Sequence, residues 1–165
     1  MWPLCNRVWE PPPTSKLDGW LLGQGEREGL PMFVRMANAF RELAPIPTYD
    51  HQVVISVRLR NPRPDGFPSP VEGEDLAALE MKVCGVLEAG NDSICVLVVT
   101  NNGLRDFIFY TRDVEGAKRR TQEVLAVGTG YVAELWIGPD EKWEVYQQCC
   151  HFLKPAQPPE TRTSA

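Results

Sequence analysis

The stretch from His51 to Leu59, "HQVVISVRL", alternates, with Val53, Ile55, Val57 and Leu59 on one side and Gln52, Ser56 and Arg58 on the other. A period of two predicts a strand with one buried face. "NPRPDGFPSP" follows and predicts a loop, because its prolines exclude a helix or an inner strand. "EDLAALEMKVCGVLEAG" sets Leu76, Leu79, Val83, Val86 and Leu87 at helical spacing and stops at Gly90. "SICVLVVT" is apolar on both sides, Ile94, Val96 and Val98 against Cys95, Leu97 and Val99. Asn and Gly in "NNG" tolerate the positive φ of a tight hairpin, so "LRDFIFYTR" returns as the paired strand. Asp113 then caps a second helix that runs through Val124 and Leu125 to Gly128. "YVAELWI" is a fourth strand, and "PDEKWEVYQQCC" a short terminal helix capped by Asp140.

The order over residues 49–153 is β-α-β-β-α-β. With right-handed crossovers it predicts an α+β fold, a ferredoxin-like sandwich of two helices on one face of a four-stranded antiparallel sheet. Upstream, "WLLGQGEREGLPMFVRMANAF" reads as two strands and a short helix, an N-terminal hairpin layer over residues 20–48. Residues 1–19 are proline-rich and predict an irregular arm, and residues 154–165 a disordered tail.

The central hairpin raises a packing question. Ile108 and Tyr110 alternate with Phe107 and Phe109, so both of its faces want cover. Leaving one such side chain in water forfeits about 1.5–3 kcal/mol. The expected cover is the N-terminal layer, through Trp20, Leu22, Met32, Phe33 and Phe40, with a partner protein as the second candidate.

Composition narrows the function classes. Apolar residues at 43% and charged residues at 24% are ordinary globular values, and 165 residues suit one domain. A net charge of −5 argues against a broad nucleic-acid footprint and favours soluble cytoplasmic life or a basic partner. Five cysteines without a CxxC pattern suit reduced thiols in a cytoplasmic setting. The N-terminus lacks a secretory pattern, and "ICVLVV" is far short of the roughly 20 residues of a membrane helix.

Candidate chemistry is sparse. "GQGEREG" has a GxG after a strand, but no helix opens there, so it predicts a hairpin turn rather than a dinucleotide loop. His51 and His151 stand far apart, and His151 beside Cys149 and Cys150 offers too few donors for a four-ligand zinc site. No catalytic residue, cofactor or metal is expected. Arg105 opens the aromatic strand, where it either pairs with a carboxylate at the rim or contacts an anion or partner. Arg58 leads a run with Arg60 and Arg63, read as a solvated strand end or, as a ligand contact, a phosphate site. Tyr110 belongs to "FIFY", where RNA-binding sheets carry stacking aromatics, but Asp106 would repel phosphate. Trp143 and Tyr146 lie at i and i+3 and either staple the terminal helix to the sheet or face a ligand.

"TNNGLRDFIFYT" (100–111), a following helix, and "DEKWEVY" (140–146) resemble an uncharacterised bacterial family catalogued as domain of unknown function 695. The family shows a hairpin of this kind and closes with Asp-x-x-Trp-x-x-Tyr, matched by Asp140, Trp143 and Tyr146. "QGEREGLPMFVRMANAF" is similar to its N-terminal hairpin, so the resemblance spans most of residues 20–153. Some members carry a further domain similar to the regulator B of ribonuclease E activity, itself ferredoxin-like. The resemblance implies a fold and a bacterial cytosolic setting, and no activity. "QQCCHFLKP" departs from the family's aromatic-proline ending.

These readings converge on a non-catalytic, cytoplasmic interaction module that masks a basic partner protein through an acidic surface or a sheet edge, as a regulator or a toxin-immunity protein does. One alternative is a regulator of RNA processing that binds a ribonuclease or RNA. Another is a small enzyme whose pocket between the N-terminal layer and the sheet gathers Arg105, Tyr110 and carboxylates.

Overall fold

The computed structural model describes residues 19–154. All but the last residue of the expected N-terminal arm, and all but the first of the expected tail, lie outside the described residues. The strands are β1 (Trp20–Arg27), β2 (Leu30–Ala37), β3 (His51–Arg58), β4 (Ser93–Asn101), β5 (Leu104–Thr111) and β6 (Ala133–Pro139). The helices are α1 (Pro70–Leu87), α2 (Val114–Ala126) and α3 (Glu144–Phe152). All six strands join one antiparallel sheet in the order β1-β2-β4-β5-β3-β6, so the protein is α+β.

The β4–β5 turn falls where the sequence predicts it, whereas of the expected turn "GQGEREG" residues 23–27 extend β1 and Glu28 and Gly29 alone make the turn. Asn102 and Gly103 both have positive φ, 49° and 74°, and so do Glu28 and Gly29 at the tip of β1–β2. Two consecutive left-handed residues match the twist of antiparallel strands, and glycine supplies the second at no steric cost. Ser69 and Asp113 cap α1 and α2 by accepting from the backbone N–H of Glu72 and Gly116.

Three expectations need correction. The N-terminal hairpin is not a layer over the sheet, because β2 pairs with β4 and extends the sheet from four strands to six. In a four-stranded arrangement β4 would be an edge, apolar on both faces with unpaired backbone, and the hairpin removes that liability. Alternation along β4 is also broken. A bulge between Cys95 and Leu97 shifts the phase, so Ile94, Val96, Leu97 and Val99 line one core while Cys95 and Val98 line the other.

The third correction concerns what covers the aromatic strand. Phe107, Ile108, Phe109 and Tyr110 are all buried, with a core on each side. On one side Phe107 and Phe109 meet Val53, Ile55, Val57 and Leu59 of β3 and its continuation, and Leu76, Leu79, Val83 and Leu87 of α1. On the other side Ile108 and Tyr110 meet Phe40, Ile46 and Tyr49 from the segment joining β2 to β3, and Trp143 and Tyr146 of the α3 end. Phe40 and Met32 thus cover as expected, and Trp20 packs against both cores. Leu22 does not, at 64% exposure, and Phe33 lies on the α1 side, one residue out of phase with buried Val34.

The cover is incomplete in a regular way. α1 and α2 pack over β4, β5, β3 and β6 and touch β1–β2 at Trp20 and through the Arg35–Glu80 ion pair, leaving Leu22 exposed. α3 crosses toward β2 and β1, with Cys150 Sγ 3.9 Å from Met36 Sδ and Leu153 lying on Gly23. Among the described residues, each face of the sheet therefore keeps one open wing.

Candidate functional site

Three of the candidate residues lie together in the interior. Trp143 stacks flat on Tyr110, ring centroids 4.0 Å apart at 4°, and meets Tyr146 edge-on at 5.7 Å. Its indole N–H donates to the Tyr49 carbonyl at 2.7 Å, and the Tyr146 hydroxyl donates to the Ala37 carbonyl. Asp140 ties this cluster to the helix. One carboxylate oxygen accepts from the Tyr110 hydroxyl at 2.7 Å, the other from the Glu144 backbone N–H at 2.9 Å. The helix begins at Glu144 rather than Asp140, because Trp143 adopts left-handed backbone (φ 54°) and so turns its ring into the core. Burial raises the pKa of Tyr110, and Asp140 raises it further. Burial likewise raises that of Tyr146. Both phenols stay protonated donors at neutral pH. All three rings are fully buried and are closed to an incoming partner as they stand.

Arg105 and Arg58 lie near one another in sequence register but on opposite faces. Arg105 pairs with Val57 across the sheet, and the next residue of β3, Arg58, points the other way beside Leu104. Arg105 is half-buried on the α1 side, its Nε donating to Thr100 Oγ1 at 2.9 Å. Arg105 and Tyr110 also differ in parity along β5, so they sit on different faces and do not gather into one pocket.

Arg58 belongs to the open wing formed by β5, β3 and the edge strand β6. Across it Trp136 pairs with Val54, which pairs with Ile108; Glu134, Ser56 and Asp106 form the next row, and Arg58 and Leu104 the last. Trp136 is 53% exposed, and its ring lies along the strand over Gly138, where any side chain would collide with it. Val132 and Leu104 extend the apolar surface, and the Ser56 hydroxyl donates to Asp106. The result is an indole anchor flanked by two carboxylates and one guanidinium, on a strand whose outer edge no described strand occupies. Trp136 was not singled out by motif. A signal was present in "AELWIGP", which alternates Glu-Trp-Gly on one face with Leu-Ile on the other, a polar-aromatic face that a covered strand would not carry.

Elsewhere the titratable groups are mostly engaged. A recess of about 230 Å³ is lined by Arg60, Asp75, Lys82, Thr129 and Tyr131, with Arg60 paired to Asp75 and 4.4 Å from the Tyr131 ring centre. Burial, with Cys150 adding to it, pushes the Cys149 thiol up to about 11, so it is protonated at neutral pH. Among the described residues no group of three or more His, Cys, Asp or Glu could hold a metal ion, and no helix is long and apolar enough to cross a membrane.

No curated protein and no solved structure matches the chain. A family model does, over residues 18–151, from the start of β1 to within α3, and it includes the whole Asp140–Trp143–Tyr146 cluster. The chain belongs to the family of unknown function DUF695.

Proposed function

We propose that the protein is a non-catalytic, cytoplasmic interaction module that captures a basic partner protein on the β5–β3–β6 wing. Trp136 carries the proposal, a half-exposed indole on an edge strand with an acidic neighbour in Glu134. Tryptophan is enriched among the few interface residues that dominate binding, because it removes a large rigid surface from water at little entropic cost. The outer edge of β6, which no described strand occupies, offers a strand-addition edge to the partner, and side chains on the open face read its sequence. Glu134 and Asp106, within a chain of net charge −5, favour a basic contact surface and speed the encounter. Arg58 sits at the rim, where a charge tunes orientation more than affinity.

Within this reading, the part of the chain from His51 onward is ferredoxin-like. Its strands lie in the order β4-β5-β3-β6 with α1 and α2 packed on one face, which is the support for that description. The partner class this reading names is a nuclease or a toxin.

Affinity capture with wild type, Trp136→Ala and Glu134→Lys tests the proposal. A stoichiometric basic protein retained by wild type and lost with either variant supports it. Equal retention by all three sinks it, and substrate turnover abolished by Arg105→Ala would favour the enzyme reading instead.

A further inference from the structure

The other open wing lies on the opposite face, where β1 and β2 run out beyond α1. Phe33 and Arg35 of β2 stand opposite Thr100 and Val98 of β4, and Arg105 of β5 stands opposite Thr100 from the far side. Leu22, opposite Arg35, is 64% exposed. α1 forms the wall and contributes Glu80, which is ion-paired with Arg35. The Arg35 guanidinium also lies 4.9 Å from the centre of the Trp20 ring.

Donors outnumber acceptors in this notch. A guanidinium carries five N–H donors and no acceptor. Among the described residues Arg105 gives its Nε to Thr100 and forms no ion pair, and the buried Nε of Arg35 has no acceptor. Glu80 is ion-paired with Arg35 and also acts on Arg105, whose second carboxylate neighbour, Glu72, is engaged by the backbone N–H groups of Arg60 and Asn61. Burial lowers the Arg105 pKa, Glu80 opposing that shift and Arg35 adding to it, yet arginine stays charged. Among the described residues the Arg105 side chain is thus held partly desolvated with no carboxylate in direct contact, an arrangement that favours an incoming oxyanion.

We propose that this notch binds the carboxylate of a small organic acid, with the carboxylate on Arg105 beside Arg35 and an apolar body over Phe33 and Leu22. With Glu80 and Glu72 already near Arg105, a monoanion suits the place better than a phosphate dianion. The apolar floor suits a hydrocarbon or aromatic body rather than a sugar. The site is on the opposite face from the Trp136 wing and does not depend on it.

Titration of the full chain with phenylacetate, followed through the arginine Nε–Hε resonances, tests this, with phenylacetamide and inorganic phosphate as separate arms. The expected result is saturable shifts of the Arg105 and Arg35 signals with phenylacetate, and affinity weaker by about tenfold or more for the amide and for phosphate. Arg105→Gln loses a similar factor. Leu22→Asp, at an exposed position that leaves the core alone, weakens binding in the same direction and stands in if Arg105→Gln does not fold. The proposal is overturned by no saturation up to about 20 mM phenylacetate, by an equal response to the amide, by tighter binding of phosphate, or by unchanged affinity in the folded variants.

Discussion

Trp143 shows how one side chain can set a local backbone. A non-glycine residue at φ 54° carries strain of about 1–3 kcal/mol. It persists because the ring is completely buried between Tyr110, Tyr146 and Phe40 and its N–H is satisfied by Tyr49. Trp143→Ala is expected to destabilise the fold by about 3–5 kcal/mol in denaturant unfolding, since it leaves a large cavity. Tyr110→Phe keeps the stack and loses the bond to Asp140 and the longer one accepted from Gln52 Nε2, so about 0.5–1.5 kcal/mol is expected. If both variants cost the same, the cluster is not organised around the indole. The i, i+3 spacing of Trp143 and Tyr146 made their shared packing legible in the sequence. The left-handed turn was not, because nothing local favours it; the tertiary stack imposes it.

At the scale of elements, two helix ends make separable predictions. The Asp113 side chain accepts from the Gly116 N–H at 2.9 Å and occupies the space where a Cβ of residue 116 would stand. Gly→Ala inside a helix ordinarily stabilises by about 1 kcal/mol. Gly116→Ala is expected to destabilise instead by about 1 kcal/mol, through loss of the cap, and thermal unfolding reads the sign directly. Asp92 joins the start of β4 to α2 through Arg120 at 3.0 Å and Arg112 at 3.2 Å. Burial pushes its pKa up, but the two guanidinium groups outweigh burial and hold it below the ordinary value. A depressed folded pKa contributes stability above the unfolded value, near pH 3.9, which is lost as pH falls through the folded one. Asp92→Asn is therefore expected to lower stability at pH 7 and to flatten its acid decline below about pH 4. An acid limb as steep as wild type contradicts this. Periodicity and turn residues made these elements readable one by one. The bulge at Val96 was not readable, because an all-apolar strand gives no alternation against which a one-residue slip can show.

At the scale of the molecule, the sheet has six strands and each face carries one covered and one open wing. That arrangement follows from where the N-terminal hairpin docks. Composition cannot say whether a hairpin lies over a sheet or joins its edge, since both bury Val34 and Met36. Only the pairing with β4 decides, and it is a long-range contact without a local signature. The candidate site suffers the same limit. Arg105 and Arg58 were legible as residues, but their placement on opposite faces depends on register, and Trp136 gains its meaning only from β6 being an edge. Because Trp136 makes few core contacts, Trp136→Ala should change folding stability by no more than about 0.5 kcal/mol while weakening partner capture by about 2 kcal/mol. The most direct test is amide hydrogen exchange of the captured complex, read over residues 133–139 against the free protein. The account predicts slower exchange there on binding, absent when Trp136 is replaced by alanine. Unchanged exchange across β6, with protection appearing elsewhere, would contradict it.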